Sequence, residues 1–411
     1  MRRTAGQFLT IAAVLAGVGA GSAGEPPKPD SRLAAPPAWP IHRGDRALTG
    51  RARGTLRLPL RTVWTAKLGA GLRSSPVVAG GQVLIGSARG IVRAFDADDG
   101  TERWARDVGE PVDAPPCAHA GRVYVGGADG GLHCLDADDG TVHWTYRTGA
   151  KIVGSPNWAY VVDKTETRAL RIVVGSYDNK LHCVDADGHR VWTYETENFI
   201  NGTPAIAARR VLFGGCDANV YAVALTDGAR HAAVDTGSYI AASPAVDGDD
   251  VYVGHYGGRF VRVDLAAGRV AWRYGAGEDP FFSSPALADD RVVVGGRDGK
   301  VHCIARADGT KLWTFATGGM VDAAPVICGD NVVVGSDDAT LYVLDLSDGT
   351  KLWSQRLSDR ITTSPAVAAP PAAASGTKPP ACVWVACDDG TLHALQQAPP
   401  PTDEPHEDTD P

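Results

Sequence analysis

The sequence predicts an all-β fold, an eight-bladed β-propeller made of four-stranded antiparallel blades. Composition is the first indication, because 49 glycines and 27 prolines accompany few helix-favouring runs in the 411 residues, a balance typical of short strands joined by tight turns. The second indication is a unit of about forty residues that repeats along the chain. The third is that the last unit lacks one strand, which an isolated N-terminal strand can supply.

Two markers recur in step and give the number of blades. A tryptophan ends each unit, and a proline follows it twelve residues later, or thirteen in one case. The first register is Trp64, Trp104, Trp144, Trp192, Ala232, Trp272, Trp313 and Trp353. The second register is Pro76, Pro116, Pro156, Pro204, Pro244, Pro285, Pro325 and Pro365. Eight coincident pairs indicate eight blades, and the strand-like runs between Asp-Gly turns indicate four strands in each.

The closing tryptophans are predicted to be wedges between neighbouring blades, because one large flat side chain per repeat can fill the gap between two sheets. Ala232 interrupts this register. Replacing a buried tryptophan by alanine costs roughly 3–5 kcal/mol. We therefore expect blade packing to be least regular at Ala232.

Closure of the ring is predicted from its two ends. The first tryptophan strand (61–67) has no strands before it, and the last unit stops after Thr391–Leu395 without a tryptophan strand. If the N-terminal strand completes the last blade, no sheet edge is left at the seam. Two insertions, around Tyr160–Leu170 and Ala368–Pro380, are predicted to fall between the first and second strands of their blades.

The sequence predicts an exported, monomeric protein in four segments. Residues 1–23 have the basic start, apolar stretch and small residues of a signal peptide, which predicts a periplasmic or secreted location. The apolar stretch is too short and glycine-rich to span a bilayer. The segments are the signal peptide 1–23, a Pro/Gly/Arg-rich lead-in 24–60, the propeller 61–397 and a disordered, acidic, Pro-rich tail 398–411.

Charge argues against nucleic acid as a partner. The formal net charge is −8, and basic residues cluster only in the stretch Arg51–Arg61. Nucleic-acid-binding proteins usually carry a broader basic surface.

The cysteines and histidines follow the repeat. Cys134, Cys183 and Cys303 share one register of the third strand where other blades have alanine or valine, so we predict small buried residues there. The register just before it holds His133, His182, His302 and His393. Because these histidines lie in different blades, we predict packed strand residues and no metal centre, and the same holds for His255.

The Asp-rich turns at 97–100 and 137–140 resemble calcium-binding sites in their carboxylate content. They recur before each tryptophan strand, so we favour structural turns. The sequence has no recognisable nucleophile elbow, phosphate loop or Ser/His/Asp arrangement, and no catalytic residue is predicted.

Positions that vary between blades on one loop are free for function. The position four residues before each repeated proline always holds an apolar residue. The residues on either side of that position differ from blade to blade. We hypothesise an interaction surface at one mouth of the central channel, formed by Arg73, Phe199, Tyr239, Phe282, Met320 and Arg360. The alternative is that these side chains tuck into the channel mouth.

Two motifs carry a resemblance to a known family. The run Asp-x-x-x-Gly-x-x-x-Trp, clear at Asp96–Trp104, Asp136–Trp144, Asp264–Trp272 and Asp345–Trp353, resembles the tryptophan-docking motif of pyrroloquinoline-quinone (PQQ)-like repeats. The segment WPIHRGDRALTG (39–50) is similar to the lead-in of many bacterial propellers of this kind. One branch of the family contains PQQ-dependent alcohol and glucose dehydrogenases, and another contains the non-enzymatic outer-membrane assembly factor BamB.

The resemblance implies a scaffold in preference to an enzyme. The alcohol dehydrogenases typically carry an adjacent cysteine pair and long excursions that build the cofactor pocket, whereas the closest cysteines here, Cys382 and Cys387, are five residues apart. The expectation is an envelope scaffold without cofactor or metal, whose partner is a protein such as a member of the outer-membrane assembly machinery. BamB is usually a lipoprotein, and no cysteine lies near residue 23. A PQQ-dependent dehydrogenase with an atypical pocket and an envelope carbohydrate- or ligand-binding propeller remain as alternatives.

Overall fold

The computed structural model describes residues 39–69, 71–162, 167–275, 277–369 and 380–398. The predicted signal peptide, the first part of the lead-in and the tail from residue 399 onward lie outside these ranges. The described chain is built from strands, turns and loops. It contains no helix that is long and apolar enough to cross a membrane.

Eight antiparallel blades form the molecule, as the repeat predicts. Two strands precede them, β1 (Arg51–Ala52) and β2 (Leu60–Lys67). Blade 1 contains β3 (Val77–Ala79), β4 (Gln82–Ile85), β5 (Ile91–Asp96) and β6 (Glu102–Asp107), and blade 2 contains β7 (Cys117–His119), β8 (Arg122–Gly126), β9 (Gly131–Asp136) and β10 (Val142–Arg147). Blade 3 contains β11 (Asn157–Val162), β12 (Arg168–Gly175), β13 (Lys180–Val184) and β14 (Arg190–Glu195). Blade 4 contains β15 (Ala205–Ala207), β16 (Arg210–Gly214), β17 (Asn219–Ala224) and β18 (Arg230–Asp235).

The second half of the ring repeats the pattern. Blade 5 contains β19 (Ala245–Asp247), β20 (Asp250–His255), β21 (Arg259–Asp264) and β22 (Arg269–Tyr274). Blade 6 contains β23 (Ala286–Leu287), β24 (Arg291–Gly295), β25 (Lys300–Ala305) and β26 (Lys311–Ala316). Blade 7 contains β27 (Val326–Cys328), β28 (Asn331–Gly335), β29 (Thr340–Asp345) and β30 (Lys351–Arg356). Blade 8 contains β31 (Ala366–Ala368), β32 (Cys382–Ala386) and β33 (Thr391–Gln397), and its fourth strand is β2.

The seam closes as predicted. Strand β2 pairs antiparallel with β33, from Leu60 opposite Gln397 to Lys67 opposite Thr391. The N-terminal strand thus provides the outer strand of the last blade, and the ladder leaves no unpaired edge at this joint.

A belt of hydroxyl groups joins the blades around the channel. At five of the eight joints, the residue before the repeated proline donates its backbone N–H to the hydroxyl of the equivalent residue in the next blade. These bonds run from Ser155 to Thr203, Thr203 to Ser243, Ser243 to Ser284, Ala324 to Ser364 and Ser364 to Ser75, at 2.9–3.1 Å. The last of these bonds crosses the seam and joins blade 8 to blade 1.

The tryptophans are wedges between blades, as predicted. Six of them donate the indole N–H to a turn carbonyl of the following blade at 2.8–3.2 Å: Trp64, Trp104, Trp144, Trp192, Trp272 and Trp313. The glycine of the same turn lies against the ring, where a Cβ atom would come within 2.6–2.8 Å of it. Trp353 lies at the seam and packs against the core cluster there.

Ala232 leaves a gap at the joint between blades 4 and 5. Its turn glycine in blade 5 is Gly268, and a Cβ atom built there would meet nothing within 4 Å. Packing at this joint is therefore looser than at the six tryptophan wedges, as the sequence predicts.

The lead-in runs around the inside of the ring. Carbonyl oxygens of the segment from Trp39 to Thr55 accept hydrogen bonds from all eight blades, seven through backbone N–H groups and blade 3 through the Asn157 side chain. Strand β1 adds a parallel pair with β27. In six blades the bonded residue lies two positions after the repeated proline, so the lead-in lies beyond the hydroxyl belt; the donors in blades 3 and 8 are Asn157 and Ala381.

Arg43 anchors the lead-in in the channel. Its side chain is 1% exposed, and its Nη2 donates to the carbonyl oxygens of Pro285 and Pro325 in blades 6 and 7. Burial lowers the pKa of Arg43 to about 9. The turn at Gly50 brings the backbone close to this guanidinium, and a Cβ there would collide with Nη2.

Both insertions fall where they are predicted. The first lengthens the hairpin of β11 and β12, whose pairing runs from Asn157 opposite Val173 to Val162 opposite Arg168. The second separates β31 from β32, which pair up to Ala368 opposite Cys382.

Candidate functional site

One mouth of the channel is formed by two loops from each blade. The first loop precedes the first strand, and the second joins the second and third strands. In every blade a backbone N–H of the second loop donates to a carbonyl of the first, which makes a loop pair. The donors and acceptors are Ala88–Gly71, Ala128–Pro111, Tyr177–Lys151, Cys216–Phe199, Tyr256–Tyr239, Arg297–Pro280, Asp337–Met320 and Asp388–Arg360.

The apolar register of the first loop is structural, as predicted. Its eight residues are 0–5% exposed: Leu72, Val112, Ile152, Ile200, Ile240, Phe281, Val321 and Ile361. Most of them cover the glycine that ends the second strand of the preceding blade. A Cβ atom added to Gly214, for example, would come within 2.3 Å of Cγ2 of Ile240.

Three of the proposed surface residues are exposed apolar side chains at the mouth. Phe199 is 42% exposed, Tyr239 58% and Met320 40%. Tyr256, in the loop pair of Tyr239, is 57% exposed. These four are among the most exposed large apolar residues of the described chain.

The aromatic side chains form two clusters. In the blade 3–4 cluster, Phe199 stacks on Tyr177 with ring centroids 4.6 Å apart, and the Lys151 ammonium lies 4.2 Å from the Tyr177 centroid. In the blade 5–6 cluster, Tyr256 lies between Tyr239 and Phe282, at centroid distances of 6.5 and 5.7 Å.

Phe282 is only partly exposed. The Arg297 guanidinium lies 4.1 Å from its ring centroid and covers one face, an arrangement typical of cation–π contacts. Phe282 thus joins the aromatic cluster to the charged part of the mouth.

A charged cleft of about 730 Å³ occupies the mouth on the side of blades 6, 7, 8 and 1. It is lined by Gly71, Leu72, Arg73, Ala88, Arg297, Met320, Asp322, Asp337, Arg360, Thr362 and Asp388. The structure therefore brings Arg73, Met320 and Arg360 together in one cleft, while Phe199 and Tyr239 lie on other blades.

Two of the cleft arginines have carboxylate partners. Arg297 binds both oxygens of Asp322, with N–O distances of 2.9 and 2.7 Å. Arg360 lies 3.0 Å from Asp388, which also accepts the Thr362 hydroxyl at 2.6 Å. Arg73 is exposed, and nothing in the described part of the chain pairs with it.

Asp337 differs from the other cleft carboxylates. Its Oδ1 is inaccessible to solvent and has no hydrogen-bond partner among the described residues. Partial burial and the nearby charge of Asp322 raise the pKa of Asp337, and Arg360 opposes the shift. A carboxylate in this position is less stable than one in water because its lost hydration is not replaced.

Sequence reasoning missed the second loop of each pair. The residues missed all lie one or two positions after the end of the second strand, where they donate the N–H of the loop pair: Tyr177, Tyr256, Arg297, Asp337 and Asp388. That register also varies from blade to blade, so the criterion applied to the first loop identifies it as well.

The repeated histidines stabilise the blades. His182 lies 3.0 Å from Asp178 of its own turn and 3.0 Å from the Tyr146 hydroxyl of the preceding blade. His302 makes the same contacts with Asp298 and Tyr274. Burial is the main cause that lowers the pKa of both imidazoles, against the effect of the aspartates.

The cysteines at the next register are buried as predicted. Cys134, Cys183 and Cys303 are at most 1% exposed, and burial raises the pKa of each thiol to about 12. All eight cysteines are free thiols.

The aspartates of the turns before the tryptophan strands accept backbone hydrogen bonds. Asp96 accepts from Asp98 and Asp136 from Asp138, each at 2.9 Å. In blade 3, Asp185 accepts from Asp187 and His189. These three side chains form the one group in the described chain whose possible ligand atoms could share a metal ion, but Asp185 already has the structural role of its counterparts.

A family model described as "Outer membrane protein assembly factor BamB" matches the chain in three overlapping segments, residues 60–170, 167–284 and 277–398. Among curated proteins no match is found.

Solved structures share the propeller. BamB from Moraxella catarrhalis is 19% identical with a TM-score of 0.65, over 82% of this chain and 98% of that one. The computationally designed protein Ika8 is 18% identical with the same TM-score, over 80% and 100%. A quinohemoprotein alcohol dehydrogenase from Comamonas testosteroni is 14% identical with a TM-score of 0.71, over 91% and 83%. At such identities the likeness shows the fold alone, which proteins of different function share.

Proposed function

Because the chain belongs to the family described as outer membrane protein assembly factor BamB, we propose that it is a non-enzymatic protein-interaction scaffold of the bacterial cell envelope. In this proposal the mouth that carries the loop pairs is the partner-binding face. The partner is a protein of the envelope, such as a component of the outer-membrane assembly machinery. The export signal predicted at residues 1–23 agrees with that location.

The observation that carries the proposal is the concentration of exposed apolar side chains at the mouth. Phe199, Tyr239, Tyr256 and Met320 are 40–58% exposed and belong to blades 4, 5 and 7. The exposed apolar residues of the outer strands, such as Val191 and Leu312, are spread around the circumference instead. Apolar and aromatic residues gathered on one face are typical of protein-binding surfaces.

The loop pairs support the proposal because they hold these side chains on a fixed frame. Tyr239 and Tyr256 are linked by a backbone hydrogen bond of 2.8 Å, and Phe199 and Cys216 by another of 2.8 Å. A preorganised surface loses less conformational entropy on binding than mobile loops do.

The cleft does not fit PQQ, a planar quinone with three carboxylates. No aromatic side chain lines the cleft to stack on such a ring, and Asp322, Asp337 and Asp388 would repel the carboxylates. Two of the three arginines are already bound to aspartates. These features favour a scaffold over a quinone-dependent dehydrogenase.

Site-specific crosslinking tests the proposed face. A photoreactive phenylalanine at Tyr239 should crosslink to one envelope protein in intact cells, identified by mass spectrometry as a component of the assembly machinery. The same group at Leu312, which is 43% exposed on an outer strand, is the matched control. Equal crosslinking at the two positions contradicts the assignment of the mouth.

A paired substitution measures the contribution of the aromatic residues. Phe199→Ala with Tyr239→Ala should reduce recovery of that partner at least tenfold, because aromatic anchors commonly contribute 2 kcal/mol or more. Val191→Ala with Leu312→Ala should leave recovery unchanged. Dye-linked oxidation of alcohols or sugars after addition of PQQ and calcium would overturn the non-enzymatic proposal.

A further inference from the structure

The joint between blades 4 and 5 has an open notch in the place where other joints hold an indole ring. Ala232 stands in the tryptophan register, and a Cβ atom built on Gly268 of the facing turn would meet no atom of the described chain within 4 Å. At six other joints a Cβ atom on the equivalent glycine would come within 2.6–2.8 Å of the tryptophan ring. The notch therefore has the position of an indole binding site that this chain builds six times for its own side chains.

Solvent reaches the notch from outside the ring. Ala266, Ala267 and Gly268 are exposed, and Ala232 is partly exposed. Strand β18, which carries Ala232, is the outer strand of its blade. A side chain of another molecule can therefore enter the notch without displacing any part of the fold.

The notch offers a hydrogen-bond acceptor as well as space. At four joints the indole N–H donates to the carbonyl oxygen of the residue 33 positions further along the chain. Counted from Ala232, that residue is Leu265. Its carbonyl oxygen accepts the Gly268 N–H at 3.3 Å, and a carbonyl oxygen has two lone pairs and can accept a second hydrogen bond.

An indole that enters the notch must come from a different protein. All ten tryptophans of this chain lie in the described ranges, and none of them is exposed. Neither this chain nor a second folded copy of it can therefore supply the ring. A buried tryptophan is among the side chains that contribute most to protein–protein binding, so one exposed tryptophan on a partner is a suitable occupant.

We propose that the notch formed by Ala232 and Gly268 binds a tryptophan side chain of a partner protein, which completes the row of wedges and donates its N–H to the Leu265 carbonyl. The turn at Gly268 joins the third and fourth strands of blade 5, whereas the mouth is formed by the loops at the other end of the strands. The notch is thus a second binding site, and it does not depend on the function proposed for the mouth.

Three small probes test the chemistry of the notch on the full chain by saturation-transfer NMR. N-acetyl-tryptophan methylamide carries the indole N–H, its 1-methyl derivative lacks that donor, and N-acetyl-leucine methylamide lacks the ring. We expect the tryptophan probe to bind about fivefold more tightly than either of the others, because only it both fills the space and makes the hydrogen bond. Equal binding of the three probes, tighter binding of the leucine probe, or no detectable binding overturns the inference.

Two blocking variants locate the binding. Ala232→Trp fills the notch with an indole of the chain itself, and Gly268→Asn places a side chain in it from the other blade. Asparagine tolerates the φ of 63° at this position better than most residues. Both variants should lose binding of the tryptophan probe, and binding that persists in both contradicts the assignment.

Two control variants should keep the binding. Ala233→Trp adds the same side chain at an exposed neighbouring position, and the pair Phe199→Ala with Tyr239→Ala alters only the mouth. The unfolding midpoint of each variant shows that it is folded. Loss of binding in the mouth variant would place the probe on the aromatic residues of the mouth and overturn the inference.

Discussion

At position 232 the chain has alanine where the equivalent position of the other seven blades has tryptophan. At six joints the indole both fills the gap between blades and caps a turn carbonyl of the next blade. The space over Gly268 shows what is lost when that side chain is absent. A single residue therefore determines how tightly two neighbouring blades pack.

Restoring the missing wedge should stabilise the protein. Ala232→Trp can place an indole over Gly268, and filling such a space commonly adds roughly 0.5–2 kcal/mol. Ala233→Trp, at an exposed neighbouring position, should add nothing. Denaturant unfolding measures both, and an unchanged or lower midpoint for Ala232→Trp would show that the gap cannot hold the ring.

At the level of strands and loops, the glycine that ends the second strand determines how closely blades approach. In seven blades this glycine faces the apolar residue of the next blade's first loop. A Cβ atom added to the glycine would lie closer to that residue than van der Waals contact allows. Interiors this closely packed have no room for an added methyl group. The same contact fixes the first loop, and with it the loop pair at the mouth.

An added methyl group at this contact should destabilise the joint. Gly214→Ala places a Cβ within 2.3 Å of the Ile240 side chain, and overpacking of this kind costs roughly 1–3 kcal/mol. Gly277→Ala, where a Cβ would meet only one backbone atom at 3.8 Å, is the control. The free energy of unfolding in urea distinguishes the two variants. Equal free energies for both would show that the blades can move apart to accommodate the added methyl group, which contradicts the prediction.

For the whole molecule, buried histidines connect stability to pH. Burial lowers the pKa of His42 to about 3 and those of His119 and His255 to about 4. The unfolded chain binds protons at these side chains near pH 6.5, but the folded protein does not until the pH is much lower. The raised pKa of Asp337 acts in the opposite sense, but it is a single group against several.

We expect the free energy of unfolding to fall as the pH is lowered from 6.5 towards 4. In that range the unfolded state binds more protons than the folded state, so stability rises with pH. His119→Gln should reduce the slope relative to the unmodified chain, because it removes one of the imidazoles whose pKa burial lowers. Thermal unfolding at several pH values checks this, and a flat profile would contradict it.

Much of the fold could be predicted because the eight blades serve as copies of one another. The Trp64-to-Trp353 register gives the blade count and the wedges, and the orphan strand at Leu60–Lys67 gives the closure of the ring. These features depend on local periodicity and on residue types that pack or turn in a characteristic way. The buried cysteine register is predictable for the same reason.

The candidate site could be predicted only in part. The varying register of the first loop points to Phe199, Tyr239 and Met320, which the structure places at the mouth with exposed side chains. Which of these residues meet, and what charges surround them, cannot be read from the repeat. Arg73 and Asp388 line one cleft although they stand at opposite ends of the propeller sequence.

The sequence by itself determined the number of blades, their strand order, the wedge positions and the joint that lacks a wedge. Only the tertiary structure decided the path of the lead-in, the pairing of loops and the unpaired state of Asp337. The physical reason is that periodic contacts are set within a blade or between adjacent blades, whereas the lead-in and the cleft depend on groups that meet only when the ring closes.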